Sequence, residues 1–360
     1  MTSPTAPITT IERVTLWAGL CLGSAFTLAC FFIGGDLGIA ATEGAIAAPF
    51  VAIAILARLG TEFQWALVLS WLGSVALLFL LFFANLGLLL GTDPEHPNEF
   101  FAVGAIAISL AGFISVPLLS PLIRARIGRT LGLQLDSPVR HIALFLTVAM
   151  SLLLLAPSLS TGQAILIQML QADPSTAEFQ QSANLLGLAW TIPFSFVLVG
   201  FGITRSFHQS WIRLGLEWRG VLPLVAGLVA AVSLFAVVRL VSAPLTELFA
   251  SLGIPTQGEE ELEILFSLST MTPLIAISIS VYAGVGEELV CRGVLQPRVG
   301  VLLATCFFTA MHAWQYTLEG LVLVFIVGFC LALLRRRYGL WASITAHFTY
   351  DLILLLLSTG

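Results

Sequence analysis

Six consecutive residues, Glu287-Glu288-Leu289-Val290-Cys291-Arg292, set two carboxylates and a guanidinium between long apolar runs. An ion in such surroundings is expensive unless it is paired or used. On a helix Glu288 and Arg292 stand at i and i+4, share a face and can pair. Glu287 lies about 100° further round and stays outside that pair. The expected division is therefore Glu288 and Arg292 for support and Glu287 for chemistry. His312, and then His347 with Asp351, are further ionisable residues in apolar segments. His347 and Asp351 share a face at i and i+4, as do Phe308 and His312, so the Phe308 ring can pack beside the imidazole. A free Glu, two His and an Asp at one depth make a polar cavity that suits three chemistries. Glu287 can take a proton from water as a general base. Glu287, His312 and His347 can hold a metal, as in zinc sites with two His and one Glu. The set can also relay protons in a transporter.

Those residues act together only if their helices bring them to one level. Arg298 and Arg337 are expected at a membrane interface. Counting at 1.5 Å per residue puts Glu287 about 16 Å from Arg298, and His312 about 21 Å from it on the next helix. From Arg337, His347 lies about 15 Å deep and Asp351 about 21 Å. Gln296-Pro297 supplies the helix break this count needs, with Pro opening the next helix.

The composition requires a membrane setting. Of 360 residues 58% are hydrophobic and 10% charged, with mean hydropathy +1.01, which excludes a soluble globule of this size. Apolar segments fall at 13–34, 44–59, 63–90, 101–122, 141–158, 185–203, 221–241, 264–296, 299–315, 320–335 and 339–358. The expected fold is all-α, a polytopic transmembrane helical bundle of about eleven segments. The chain has no lysine; its 15 basic residues are all arginine. With the N-terminus in the cytoplasm, only Arg239 falls towards the outside, as the positive-inside rule asks. Acids gather in the outer loops instead: Asp93, Glu95 and Glu99, then Glu259, Glu260, Glu261 and Glu263. The run from Val14 to Gly34 reads as a first membrane helix, being long for a signal peptide. Residues 159–184 hold the helix-start signal Asp173-Pro174-Ser175. Residues 204–219 mix Arg with Trp and Phe, which suits an amphipathic interfacial segment. The five cysteines lack zinc-knuckle spacing and read as small buried apolar residues. No basic and aromatic cluster forms a nucleic-acid surface. A composition break divides an N-terminal region, 1–184, with no assigned chemistry from a C-terminal bundle, 185–360, that carries the ionisable set.

The order Glu-Glu-x-x-x-Arg, Phe-x-x-x-His, His-x-x-x-Asn/Asp resembles the CAAX-protease and bacteriocin-processing (CPBP) family of intramembrane proteases, which includes the Ras-converting type of CAAX prenyl endopeptidase. Here it reads Glu287-Glu288-Leu289-Val290-Cys291-Arg292, Phe308-Thr309-Ala310-Met311-His312 and His347-Phe348-Thr349-Tyr350-Asp351. The resemblance covers about residues 264–358. It implies a helical bundle with a conical cavity open to the cytosol, and an endopeptidase acting on a membrane-associated peptide or protein. It implies that Glu287 and His312 activate water, that His347 and Asp351 hold the oxyanion or the water, and that Arg292 supports Glu288. It is compatible with a glutamate-dependent or a zinc-dependent enzyme, and it implies a bacterial inner membrane. The prenyl endopeptidases usually carry Asn where this chain has Asp351, and a carboxylate is a poor oxyanion donor unless protonated. Asp351 is therefore expected either to stay protonated through burial or to orient water or ligate a metal. Two rival functions use the same residues: a non-catalytic scaffold or immunity protein of this fold, and a proton-coupled transporter. The latter class shows paired repeats with broken helices, and no clear repeat stands in this sequence.

Overall fold

A computed structural model describes residues 8–33, 35–91, 99–161, 175–257 and 273–358. The chain is all-helical. Among the described residues there is no strand, only an isolated bridge between Phe201 and Arg205. The N-terminal region supplies α1 (Thr10–Ile33), α2 (Gly35–Leu59), α3 (Gln64–Gly91), α4 (Glu99–Ser115), α5 (Pro121–Thr130) and α6 (Pro138–Thr161). Then come α7 (Ser175–Val199), the short α8 (Phe207–Leu214) and α9 (Leu222–Ser251). The last part holds α10 (Pro273–Val281), α11 (Gln296–Met311), α12 (Leu318–Tyr338) and α13 (Leu340–Ser358).

Among the described residues six stretches are long and apolar enough to cross a membrane: Gln64–Gly87, Pro138–Ala156, Leu222–Ser251, Pro273–Met311, Leu318–Tyr338 and Leu340–Leu357. Two shorter apolar helices, Gly44–Leu59 and Leu186–Val199, lie among them. The segment expected at 101–122 is bent instead of continuous. Its helix ends at Ser115, passes through a 3-10 turn at Val116–Leu119 and turns by 98° into α5. Prolines at 117 and 121 explain the turn, since each opens a new helical stretch and cannot continue the old one.

The break expected at Gln296-Pro297 lies further on. Pro297 sits in the first turn of α11, and the kink falls at Gly300, with φ +83° and ψ 176°. A side chain is strained there, and a Cβ would meet the Leu133 side chain at 3.1 Å. Between α10 and α11 the chain winds as π-helix over Tyr282–Glu287 and Leu289–Leu295. The regular α-turn assumed for Glu287 and Glu288 is thus replaced by wider i→i+5 turns, a feature frequent at functional sites. Gly284 permits this packing, because a Cβ there would lie 2.8 Å from Phe348 Cβ and 3.0 Å from its backbone nitrogen. α13 therefore lies directly against the π-turn. It is held from the other side by α9, which crosses it at Gly227, where a Cβ would come within 2.7 Å of the Ala342 carbonyl.

Phe196, Val199, Leu214, Leu289, Val294 and Leu340 form one buried cluster joining α7, α8, the π-turn and α13. Lipid is as apolar as these side chains, so what they contribute is close packing that fixes the π-turn. α6 packs along α11 and α2 along α7, so the N-terminal helices brace the C-terminal bundle. The amphipathic segment at 204–219 becomes α8, started by a capping box between Ser206 and Gln209 and stopped by Gly215 at φ +90°. Asp93, Glu95, Glu259, Glu260, Glu261, Glu263 and the Asp173-Pro174 signal lie outside the described residues. Of the four described cysteines only Cys291 is fully buried; Cys21 is exposed, and Cys306 and Cys330 are half-buried.

Candidate active site

The ionisable residues singled out by spacing do meet, at the junction of the π-turn, α11 and α13. Glu288 and Arg292 are wholly buried. Arg292 Nη1 meets Glu288 Oε1 at 2.9 Å, and Nη2 donates to the Gly328 carbonyl on α12 at 3.0 Å. The guanidinium lies over the Phe308 ring, with Cζ 4.0 Å from the centroid, a favourable seat for a desolvated cation. Gly328 has to be small, because a Cβ there would fall 2.6 Å from Phe308 Cδ1.

Glu288 has a second duty that the spacing did not reveal. Its Oε1 also meets His347 Nδ1, at 3.0 Å from α13. A carboxylate only accepts, so Nδ1 carries the proton. His347 Nε2 then faces Asp351 Oδ2 at 3.5 Å, long for a hydrogen bond. His347 thus stands between two carboxylates and is itself buried.

Glu287 is directed elsewhere, as the division of the two glutamates requires. Its Oε2 faces His312 Nε2 at 3.7 Å. His312 Nδ1 is 2.9 Å from the Phe308 carbonyl, which only accepts, so that nitrogen bears the proton. In a neutral imidazole Nε2 is then an acceptor facing another acceptor. Glu287 Oε2 is buried and makes no hydrogen bond. Two acceptors 3.7 Å apart are too far for a direct bond, but one water about 2.8 Å from each can donate to both. The Phe308 ring ties the two halves together, with centroids 4.7 Å from His312 and 5.6 Å from His347. Tyr316, which no motif marks, stacks on His312 with ring centroids 6.3 Å apart.

The trio Glu287, His312 and His347 does not make a metal site in this arrangement. His347 gives Nδ1 to Glu288 and turns Nε2 towards Asp351 at 3.5 Å. Among the described residues no three His, Cys, Asp or Glu side chains come together as metal ligands.

Residues 269–353 match the model of the type II CAAX prenyl endopeptidase Rce1-like family. The matched stretch contains Glu287, Glu288, Arg292, Phe308, His312, His347 and Asp351, and this is the type of protease that the three motifs resemble. No curated protein and no solved structure matches the chain.

Proposed function

We propose that the chain is an intramembrane endopeptidase that hydrolyses a peptide bond of a membrane-associated peptide or protein with a water held between Glu287 and His312. The match to a family of CAAX-type membrane proteases supports the reaction class. The observation that carries the mechanism is the unpartnered Glu287 Oε2 facing the acceptor nitrogen of His312.

Glu287 takes a proton from the water as its oxygen bonds to the carbonyl carbon. The carbonyl oxygen becomes an oxyanion. His347 is the donor for it, because its Nδ1–H is committed to Glu288 and a second proton on Nε2 points towards the Asp351 side of the cavity. Asp351 then orients that N–H and is not itself the donor, which accommodates a carboxylate where the prenyl endopeptidases usually carry Asn. The oxyanion collapses, the C–N bond breaks and the proton on Glu287 passes to the departing amide nitrogen, leaving a carboxylic acid and an amine; the acid proton then passes to the amine, and Glu287 is again a carboxylate. With His347 and Arg292 positive and Glu287, Glu288 and Asp351 negative, the resting set carries one net negative charge. Proton uptake by Glu287 neutralises it during attack. Arg292 and Phe308 position Glu288 and the two imidazoles.

The test is cleavage of membrane-protein-derived peptides by the purified protein in lipid, read by mass spectrometry. Wild type is expected to cleave with or without a zinc chelator. Glu287→Gln and His312→Ala are expected to lose cleavage while staying folded. Cleavage that vanishes with chelator and returns with zinc would replace the unmetallated water by a metal-held one. Cleavage retained in Glu287→Gln would remove the proposal.

A further inference from the structure

Away from the site, four arginines converge where α2, α7, α8 and α11 meet. The Leu198 carbonyl accepts from Arg58 at 2.5 Å and from Arg298 at 2.9 Å. Two cations therefore share one oxygen. The adjacent Val199 carbonyl accepts from Arg205 at 2.5 Å. Arg213 reaches the Gly293 carbonyl at 3.4 Å. The Leu198 and Val199 oxygens close the C-terminus of α7, which offers about half a negative charge against four full positive ones. Among the described residues none of the four pairs with a carboxylate. Asp136 and Glu217 are held by Arg140 and Arg219, at 3.1 and 3.5 Å. Arg58 and Arg298 are only 5% and 6% exposed, and Arg58 Nε is buried without a partner. Burial, and then the charges of Arg205, Arg335 and Arg140, lower the Arg213 guanidinium to about 10. Like charges packed this closely call for an anion.

One of these arginines, Arg298, also lines an apolar cavity of about 230 Å³ between α2, α6, α7 and the π-turn with α11. Its wall includes Phe50, Leu146, Phe194 and Val294, and Leu198 and Arg298 belong both to the cavity and to the arginine cluster. Thr147 also lines it, and its hydroxyl is buried without a partner. An arginine cluster that reaches the wall through Arg298, a single unpartnered hydroxyl and a carbon-lined interior match an amphiphile: a phosphate, an ester and a hydrocarbon chain.

We propose that the chain binds one anionic phospholipid here, its phosphate on Arg58, Arg205, Arg213 and Arg298 and part of an acyl chain in the cavity behind Leu289–Leu295. A free phosphate would use the arginines and leave the cavity unexplained. A zwitterionic choline lipid would bring an ammonium group to four guanidinium groups. The proposal rests on nothing in the peptidase reading, and its test does not use cleavage.

The intact protein in non-ionic detergent would be titrated with phosphatidylglycerol, phosphatidylcholine and inorganic phosphate, and bound lipid counted by native mass spectrometry. One phosphatidylglycerol per chain is expected, bound at least about fivefold more tightly than phosphatidylcholine. Arg205→Gln with Arg213→Gln, both half-buried residues, is expected to weaken it by about 25-fold, near fivefold for each charge. Ala143→Phe, which fills the cavity, is expected to lose the lipid while keeping its melting temperature. Equal binding of the two lipids by wild type would overturn the proposal without any variant. So would competition by millimolar inorganic phosphate together with undiminished binding by Ala143→Phe, which would mark a free-anion site. Retention of phosphatidylglycerol by a folded arginine double variant would also overturn it.

Discussion

Glu287 and Glu288 are neighbours in sequence with separate partners, and their difference is the clearest prediction at the residue scale. Glu287→Gln removes a proton acceptor and little else, so kcat is expected to fall by about 10²- to 10⁴-fold with KM nearly unchanged. Glu288→Gln strands the wholly buried Arg292 and releases His347. Breaking one side of a buried ion pair destabilises by about 3–5 kcal/mol, so this variant is expected to melt well below wild type. Glu288→Leu with Arg292→Met removes both charges and should recover much of that melting temperature, while activity stays lost because His347 has no anchor. Recovered activity in the double variant would show that Glu288 serves Arg292 alone. The site residues were legible because ionisable side chains in apolar runs are few, and i, i+4 spacing assigned Arg292 to Glu288 and Asp351 to His347. The bond between His347 and Glu288 was not legible, since it joins residues 59 positions apart and only the packing of α13 on the π-turn creates it.

Apolar runs located the elements well and the interruptions less well. The segment near 299–315 begins behind a real break, but Pro297 opens a helix and the kink waits for Gly300, whose positive φ no local pattern announces. The π-turn was likewise hidden, although Gly284 and Gly286 beside the glutamates were its trace. At this scale the expected outcome concerns Gly284. Gly284→Val would drive carbon into Phe348, including its backbone nitrogen at 3.0 Å, which has no rotamer with which to yield. Overpacking of this kind destabilises by about 1–3 kcal/mol, and it would shift α13, which carries His347 and Asp351. A lower melting temperature in detergent and lost cleavage are expected together. Gly87→Ala is the control, because a Cβ there meets nothing within 4 Å, and it should be silent in both measurements. If Gly284→Val melts like wild type, the close approach of α13 to the π-turn is not what holds the site.

For the whole molecule, the placement of the arginines in the fold carries the prediction. Arg58, Arg140, Arg205, Arg213, Arg298 and Arg335 come from distant parts of the chain, yet they lie close enough for their charges to act on Arg213 or Arg298. One end of the bundle therefore gathers the loops that the positive-inside rule assigns to the cytoplasm, and Arg239 on α9 is not among these neighbours. If that end is cytoplasmic, Arg336, exposed at the end of α12, faces the cytoplasm and Ser251, exposed at the end of α9, faces out. Arg336→Cys and Ser251→Cys can be labelled in intact cells with a membrane-impermeant maleimide, the unsubstituted protein reporting the native cysteines. Ser251→Cys is expected to react in intact cells and Arg336→Cys only after lysis. The reverse pattern would turn the arginine-rich end outward. The orientation argument would then fail, and a site supplied with peptides from the cytosol would have to take them from the other side. The expected pattern would leave the arginine cluster on the cytoplasmic leaflet, where anionic lipids are the counter-charge available to it.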